Sequence, residues 1–278
     1  MKQVRLLPPC SYQGGKIRLA TGIATLIGDC DYFYELCCGS AAVSLEMINQ
    51  GLSPSHITLL DKSEMGYFWK SIANGTFDLS VLKQFCDAVP SPEYIQAYMQ
   101  KLSEQPIVDD TRVYVYLLLQ AGAFGGKQIW TKDGKWQNTT FRKYWLPNGV
   151  ANRTSPVMPM SPMPQSLYER MEQIVRQCRG IHAYQQDIME YIQTTEFETN
   201  AVVYIDPPYE DTTKYGFGFD VNQMISILQS KRVAFWVSYN RALEGATESI
   251  CLSAGRKKGG ISGNRKTKPN EEWLCKFY

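Results

Sequence analysis

Long apolar runs are missing from this chain. No stretch approaches the roughly 18 uninterrupted apolar residues of a membrane helix, and the opening MKQVRLLPPC lacks the apolar centre of a signal peptide, so a soluble cytosolic chain with no membrane partner is expected. Histidine is scarce: only His56 and His182 occur, neither has cysteine or acidic neighbours at metal spacing, and no metal site is expected. The 8 cysteines include no C-x-x-C pair, and Cys37 and Cys38 adjoin, a spacing poorly suited to a local disulfide or a zinc site. Reduced, mostly structural thiols are expected. Neither sign of charge dominates, since 29 Lys and Arg against 27 Asp and Glu leave +2, which neither demands nor excludes nucleic acid. No internal repeat is visible, and 278 residues at 44% hydrophobic can bury one large core or two modest ones.

What is present is a set of apolar runs that stop at acids. In AVVYIDPPYEDTTKYG the β-branched run Ala201 to Ile205 reads as a buried strand ending at Asp206 and two prolines. Prolines cannot donate to a sheet ladder, and the first biases Asp206 toward extended backbone, so the strand ends and presents the carboxylate at its tip. Strands are also expected at Tyr32 to Leu36, Ile57 to Leu60, Ile181 to Tyr184, Val233 to Val237 and the terminal WLCKFY. Helices are expected in AAVSLEMINQ, VYVYLLLQAGAF, SLYERMEQIVRQC and VNQMISILQSK. Strand and helix alternate, which predicts an α/β chain with a mostly parallel sheet. The alternation lapses between about Tyr67 and Met163, the signature of an inserted domain or a long functional excursion.

Ligands of such sheets lie beyond the carboxyl ends of the strands. Asp61, Asp187 and Asp206 stand at or just past such ends, and Glu35 lies late in its strand before a turn containing Gly39. One such acid commonly caps a helix or forms a turn. Several on one crevice suit the hydroxyls and amines of a nucleoside-containing cofactor, with Gly39, Ser40 and Ala41 small enough for close backbone approach. A phosphate loop is the competing reading of SYQGGK, but Cys10 and Ile17 occupy the positions that need glycine and Ser or Thr.

The DPPY of Asp206, Pro207, Pro208 and Tyr209, with SYQGGK at Ser11 to Lys16, YELCCGSAAV at Tyr34 to Val43, LDKS at Leu60 to Ser63 and the late ISGNRKTKPNEEWL, resembles the Dam-type (D12 class) DNA adenine-N6 methyltransferases in both motifs and motif order. Two departures stand out: Cys37 and Ala41 replace the aromatic and the second glycine of that family's cofactor loop. The resemblance implies a Rossmann-like S-adenosylmethionine-dependent methyltransferase fold, with a discontinuous catalytic domain at 1–75 and 165–278 and an inserted target-recognition region at 76–164. It implies catalysis by Asp206, Pro207, Pro208 and Tyr209, and cofactor binding by Tyr12, Lys16, Glu35, Gly39, Asp61, Asp187 and Asp206. The partner implied is double-stranded DNA, in the cytoplasm of a bacterial or phage-infected cell, and the reading is compatible with a monomer.

Chemistry gives the Asp206 motif its sense. The exocyclic amine of adenine is a weak nucleophile because its lone pair is delocalised into the ring. A carboxylate and a carbonyl held by rigid prolines can accept hydrogen bonds from that amine and localise the pair, while Tyr209 offers a stacking surface. An adenine within a duplex must first be flipped out. YGFGF, Tyr215 to Phe219, reads equally as a loop closing over the base and as a loop packed into the core. Basic residues interleaved with aromatics, notably Lys127, Arg142 and Lys143, suit DNA, and so does the acid-free RKKGGISGNRKTK with Asn264, Arg265 and Lys266, which alone reads equally as a solvated basic loop. An RNA base methyltransferase using the same tetrapeptide and an inactive nucleic-acid-binding relative are the alternatives.

Overall fold

The apolar runs that end in carboxylates become neighbouring strands of one sheet. The computed structural model describes residues 4–142, 146, 147, 149, 157–209, 219–257 and 268–278, with backbone alone for 254–257 and 268–270. Along the chain come α1 (Ala20–Ile27), β1 (Tyr32–Leu36), α2 (Ala42–Asn49), β2 (Ile57–Leu60), α3 (Glu64–Ala73), α4 (Leu79–Asp87), α5 (Ile95–Ser103) and α6 (Asp109–Gly122). The short hairpin β3 (Trp130–Lys132) and β4 (Lys135–Gln137) follows, then α7 (Pro164–Gln177), β5 (His182–Tyr184), α8 (Ile188–Thr194) and β6 (Ala201–Ile205). The chain closes with α9 (Val221–Ser230), β7 (Ala234–Tyr239), β8 (Glu248–Lys257) and β9 (Lys268–Phe277).

The main sheet runs β5-β2-β1-β6-β7-β9-β8. Its first five strands are parallel, and β9 pairs antiparallel with both β7 and β8. Register decides what the strand tips share. Leu36 pairs with Leu60 and with Ile205, and Leu60 pairs with Tyr184, so the carboxyl ends of β5, β2, β1 and β6 are level. Strand order reverses at β1, and the crevice of such a sheet opens between β1 and β6.

Period-two alternation sends successive side chains to opposite faces. Tyr34, Leu36, Val203 and Ile205 pack with α8 and α9 on one face, while Phe33 and Tyr204 face the other cluster. That second cluster is the larger, and it includes Leu82, Met99 and Leu117 of α4, α5 and α6 together with Leu45 of α2 and Met171 of α7. Helices α4, α5 and α6 therefore share their core with one sheet face.

Three of the expected strands, β1, β2 and β6, have the expected limits. The C-terminal strand is longer than WLCKFY and pairs with β8, a strand the sequence reading did not contain, nor did it contain α1, α3, α4, α5 or α8. Glycine hides α3. Gly66 sits in its first turn, where an added Cβ would lie 1.9 Å from the Asp61 carbonyl oxygen, so the helix starts hard against the tip of β2. The clash is with backbone, which cannot swing aside. Gly66→Ala is expected to cost about 2 to 3 kcal/mol, as overpacking does at its upper range, read as a lowered midpoint in urea unfolding.

Candidate active site

The loop from β1 to α2 is held in an unusual backbone. Cys37, Gly39 and Ala41 all have positive φ (57°, 45° and 53°), and only glycine adopts that region without steric cost. Both polar groups of Gly39 are anchored: its amide donates to Asp61 Oδ2 at 2.8 Å, and its carbonyl accepts from Trp69 Nε1 at 2.9 Å. A Cβ on Gly39 would fall 2.8 Å from Cε1 of Tyr12, so the Tyr12 ring lies directly on this residue. Tyr12, Gly39 and Asp61 are thus brought together from three segments.

Asp61 is buried and heavily used. Its Oδ1 accepts from the Ser63 amide at 2.8 Å and hydroxyl at 2.5 Å, which ties it to the N-cap of α3. Three donors occupy a group with about four acceptor sites, so room for one further hydroxyl remains. Glu35 accepts from the Ser44 amide in the first turn of α2 at 2.7 Å, and burial pushes it up to about 7, with the Ser44 hydrogen bonds opposing. Asp187 caps α8 through the Met189 amide at 2.8 Å and pairs with Lys62 at 2.9 Å. Burial would raise its carboxyl, but Lys62 and the Met189 amide outweigh this and hold it below the usual range. Lys62 and Ser63 directly follow Asp61, so the β2 and β5 tips are laced together.

Across the crevice, Asp206 leaves β6 with its amide on the Leu36 carbonyl at 3.4 Å. Lys16, 190 residues earlier and 7% exposed, places Nζ 2.6 Å from both carboxylate oxygens and 3.0 Å from the Gly14 carbonyl. Burial pushes Asp206 above the usual carboxylate range, with Lys16 and Tyr209 opposing. Burial would lower Lys16, yet Asp206 and Glu272 reverse the effect and hold it firmly cationic. The Tyr209 hydroxyl accepts from Lys16 at 3.2 Å and donates to Glu272 Oε1 at 2.7 Å, and its ring meets Tyr239 edge-on at 5.2 Å.

Glu272 is absent from the expected site. It lies on β9 one residue before Trp273, which pairs with Tyr239 at the end of β7, so the antiparallel strand enters the sheet beside the crevice. The acidic pair preceding an apolar strand was visible, but only pairing of β9 with β7 aims one of the two acids at Lys16.

Among the expected DNA contacts, Lys127 is half-buried and closely tied to the crevice. Buried Gln120 donates to the carbonyls of Ser11 at 3.2 Å, Gly126 at 3.2 Å and Lys127 at 3.1 Å, stitching the two GGK segments together. Arg142 donates to the Met158 carbonyl. Lys143, Asn264, Arg265 and Lys266 lie outside the described residues, as does YGFGF apart from Phe219.

The site joins an acid-prolyl-prolyl-tyrosyl strand tip to a glycine loop at a sheet's switch point. The model of the D12 class N6 adenine-specific DNA methyltransferases matches residues 12–240. This chain belongs to that family. It is accordingly an adenine-specific DNA methyltransferase, and its mainly parallel seven-stranded sheet is the Rossmann-like catalytic fold. The matched span begins at Tyr12, and so includes Lys16 and Asp206 but not Glu272. Among solved structures, the rRNA methyltransferase aviRa from Streptomyces viridochromogenes, determined at 1.5 Å, is similar at 12% identity and a TM-score of 0.38, over 99% of this chain and 86% of that one. Such distant likeness adds nothing to the assignment. A search of curated proteins returned no match. Among the described residues, no helix is long and apolar enough to cross a membrane.

Proposed function

We propose that this D12-class enzyme transfers a methyl group from S-adenosylmethionine to N6 of an adenine flipped out of double-stranded DNA at a specific site. The observation that carries the reading is the Asp206 carboxylate, oriented by Lys16 at the tip of β6 and facing the crevice between β1 and β6.

The residues present fit the cofactor. Asp61 has an acceptor site left for a ribose hydroxyl, Gly39 permits close approach, and the Tyr12 ring stands over that glycine. Glu35, Asp187 and Lys16 complete the set that would hold it, with Asp206 at its reacting end. When bound, S-adenosylmethionine supplies an electrophilic methyl group. The chain's own residues supply the rest. Asp206 and the Pro207 carbonyl accept from the adenine amine and localise its lone pair, and Pro207 and Pro208 hold those acceptors without a conformational search. Tyr209 gives the extruded base a ring to stack on, worth roughly 1 to 3 kcal/mol, which offsets part of the cost of unstacking.

For DNA, the reading takes 1–75 and 165–278 as the catalytic domain and 76–164 as the target-recognition region. Lys127, Arg142 and Lys143 contact the duplex from the latter, and Asn264, Arg265 and Lys266 from the basic segment between β8 and β9 in the sequence. The enzyme works in the cytoplasm of a bacterial or phage-infected cell. Converting Arg265 and Lys266 together to Ala is expected to weaken DNA binding about equally for all sequences and to reduce the salt slope by about 2. Binding isotherms at several salt concentrations measure it; an unchanged slope would remove this segment from the phosphate contacts.

Incubation with S-adenosylmethionine labelled in its methyl group, and with DNA and RNA offered separately, tests the whole reading. Label is expected in N6-methyladenine of duplex DNA. Label confined to RNA, or on another base, would overturn it.

A further inference from the structure

One ammonium against one carboxylate sums to zero. Lys16 sits 2.6 Å from both oxygens of Asp206, and a neutral pair is a weak electrostatic partner for a nitrogen that becomes cationic during transfer. The protein carries a second carboxylate at this point. Glu272 Oε1 lies 3.4 Å from Lys16 Nζ, its side chain is 15% exposed, and it accepts the Tyr209 hydroxyl hydrogen at 2.7 Å. When Lys16 is cationic and Asp206 and Glu272 are both ionised, these three groups total −1.

We propose that Glu272 is a charge-balancing and positioning residue for methyl transfer: it offsets Lys16, so that Asp206 meets the reacting amine from a net-negative cluster, and it holds the Tyr209 ring through its hydroxyl. This rests on the reading of Asp206 as the acceptor for the adenine amine. The balance of the step explains the need. The nitrogen lone pair forms the new N–C bond as the donor's C–S bond breaks, so positive charge passes from sulfur to nitrogen. One N–H proton then leaves to the Asp206 carboxylate and on to water. Any anion near that nitrogen favours the charge transfer, and Lys16 uncompensated would cancel it. Burial, with carboxylates on either side, keeps the Tyr209 phenol protonated, so it remains a donor to Glu272 throughout.

Among the described residues, the ionisable groups facing Glu272 are Lys16, Asp206, Tyr209 and Tyr204, and Ser253 stands opposite on β8. Burial raises Glu272, Lys16 opposes this, and Asp206 adds to it. Two carboxylates sharing one ammonium therefore titrate together above the usual range, and transfer is lost as pH falls through that range.

The test compares wild type, Glu272→Gln and Glu272→Asp. The glutamine variant keeps an oxygen for Tyr209 and nearly the same shape but removes the charge. Single-turnover methylation of adenine in duplex DNA at neutral pH is expected to fall roughly tenfold or more in Glu272→Gln. Part of the rate should return in Glu272→Asp. Dissociation constants for DNA and for a non-reactive donor analogue should stay within about twofold. The acidic limb of the rate profile should move to lower pH in Glu272→Gln, because Asp206 then has Lys16 to itself. The Tm of Glu272→Gln at pH 8 should equal or exceed that of wild type, since a surplus buried anion is gone. A wild-type rate and pH profile in Glu272→Gln would overturn the inference and leave the proposed function standing. So would a Tm lowered in parallel with the rate, the mark of a residue that only supports the fold. If wild type itself places no methyl group on adenine, the proposed function falls, and the inference with it.

Discussion

Replacing Asp206 with Ala is expected to lower the single-turnover rate of methyl transfer by roughly a hundredfold or more, because in the proposed reaction the carboxylate accepts from the amine most strongly when the nitrogen is becoming cationic. The change also removes the partner that sits 2.6 Å from Lys16, leaving the ammonium to Glu272, the Tyr209 hydroxyl and the Gly14 carbonyl. A fold defect must therefore be separated from a chemical one. Glu272 retains a charge for Lys16, so a folded variant with donor binding intact is expected, and rapid-quench analysis of methylated DNA beside calorimetric titration of a donor analogue reads both. Near-normal turnover in a folded Asp206→Ala protein would remove this residue from the chemistry.

Lys16→Met is expected to have the largest effect on stability, about 3 to 5 kcal/mol at pH 8, the range for breaking a buried ion pair by deleting one partner. Methionine keeps the length of the side chain and takes away the one cation among the described residues that faces these two largely buried carboxylates. The sign of the pH dependence follows. Asp206 and Glu272 are both held above their usual range by burial, with Lys16 pulling each down. Without Lys16 both rise further, so the folded variant binds protons more readily than the unfolded chain, and its stability falls as pH increases through the raised range. The deficit against wild type should be greatest at pH 8 and shrink as the solution is acidified toward pH 5. Urea unfolding at several pH values would show it. A deficit independent of pH would mean that Lys16 acts through packing rather than charge.

These two variants divide the labour of one cluster. In the proposed reaction Asp206 supplies the acceptor, and Lys16 favours its ionised form and orients it in a setting where burial favours the neutral acid. Tyr209 is fixed at both ends, by Lys16 and Glu272 at its hydroxyl and by Tyr239 against its ring, so a base would meet an aromatic surface already held in place.

The sequence by itself determined the strand tips. Tyr32–Leu36, Ile57–Leu60 and Ala201–Ile205 were legible with their limits, because β-branched and aromatic runs ended at residues that cannot continue a ladder or that turn the chain. Asp61 and Asp206 were legible for the same reason, and the motif order carried the family. Local periodicity marked α6 but said little about 64–103, where α3 hides a glycine demanded by contact with Asp61, and α4 and α5 find their burial against distant helices and one sheet face. Only the tertiary structure decided that Lys16 faces Asp206 across 190 residues, and that Glu272 rather than Glu271 faces Lys16. The first is a meeting of the turn before α1 with the tip of β6, and the second depends on which way an antiparallel strand enters the sheet and in which register. Pairing between segments far apart in the chain leaves no periodic trace in either one, so the charges that meet at the crevice are set by register, burial and mutual compensation, which exist only once the sheet has formed.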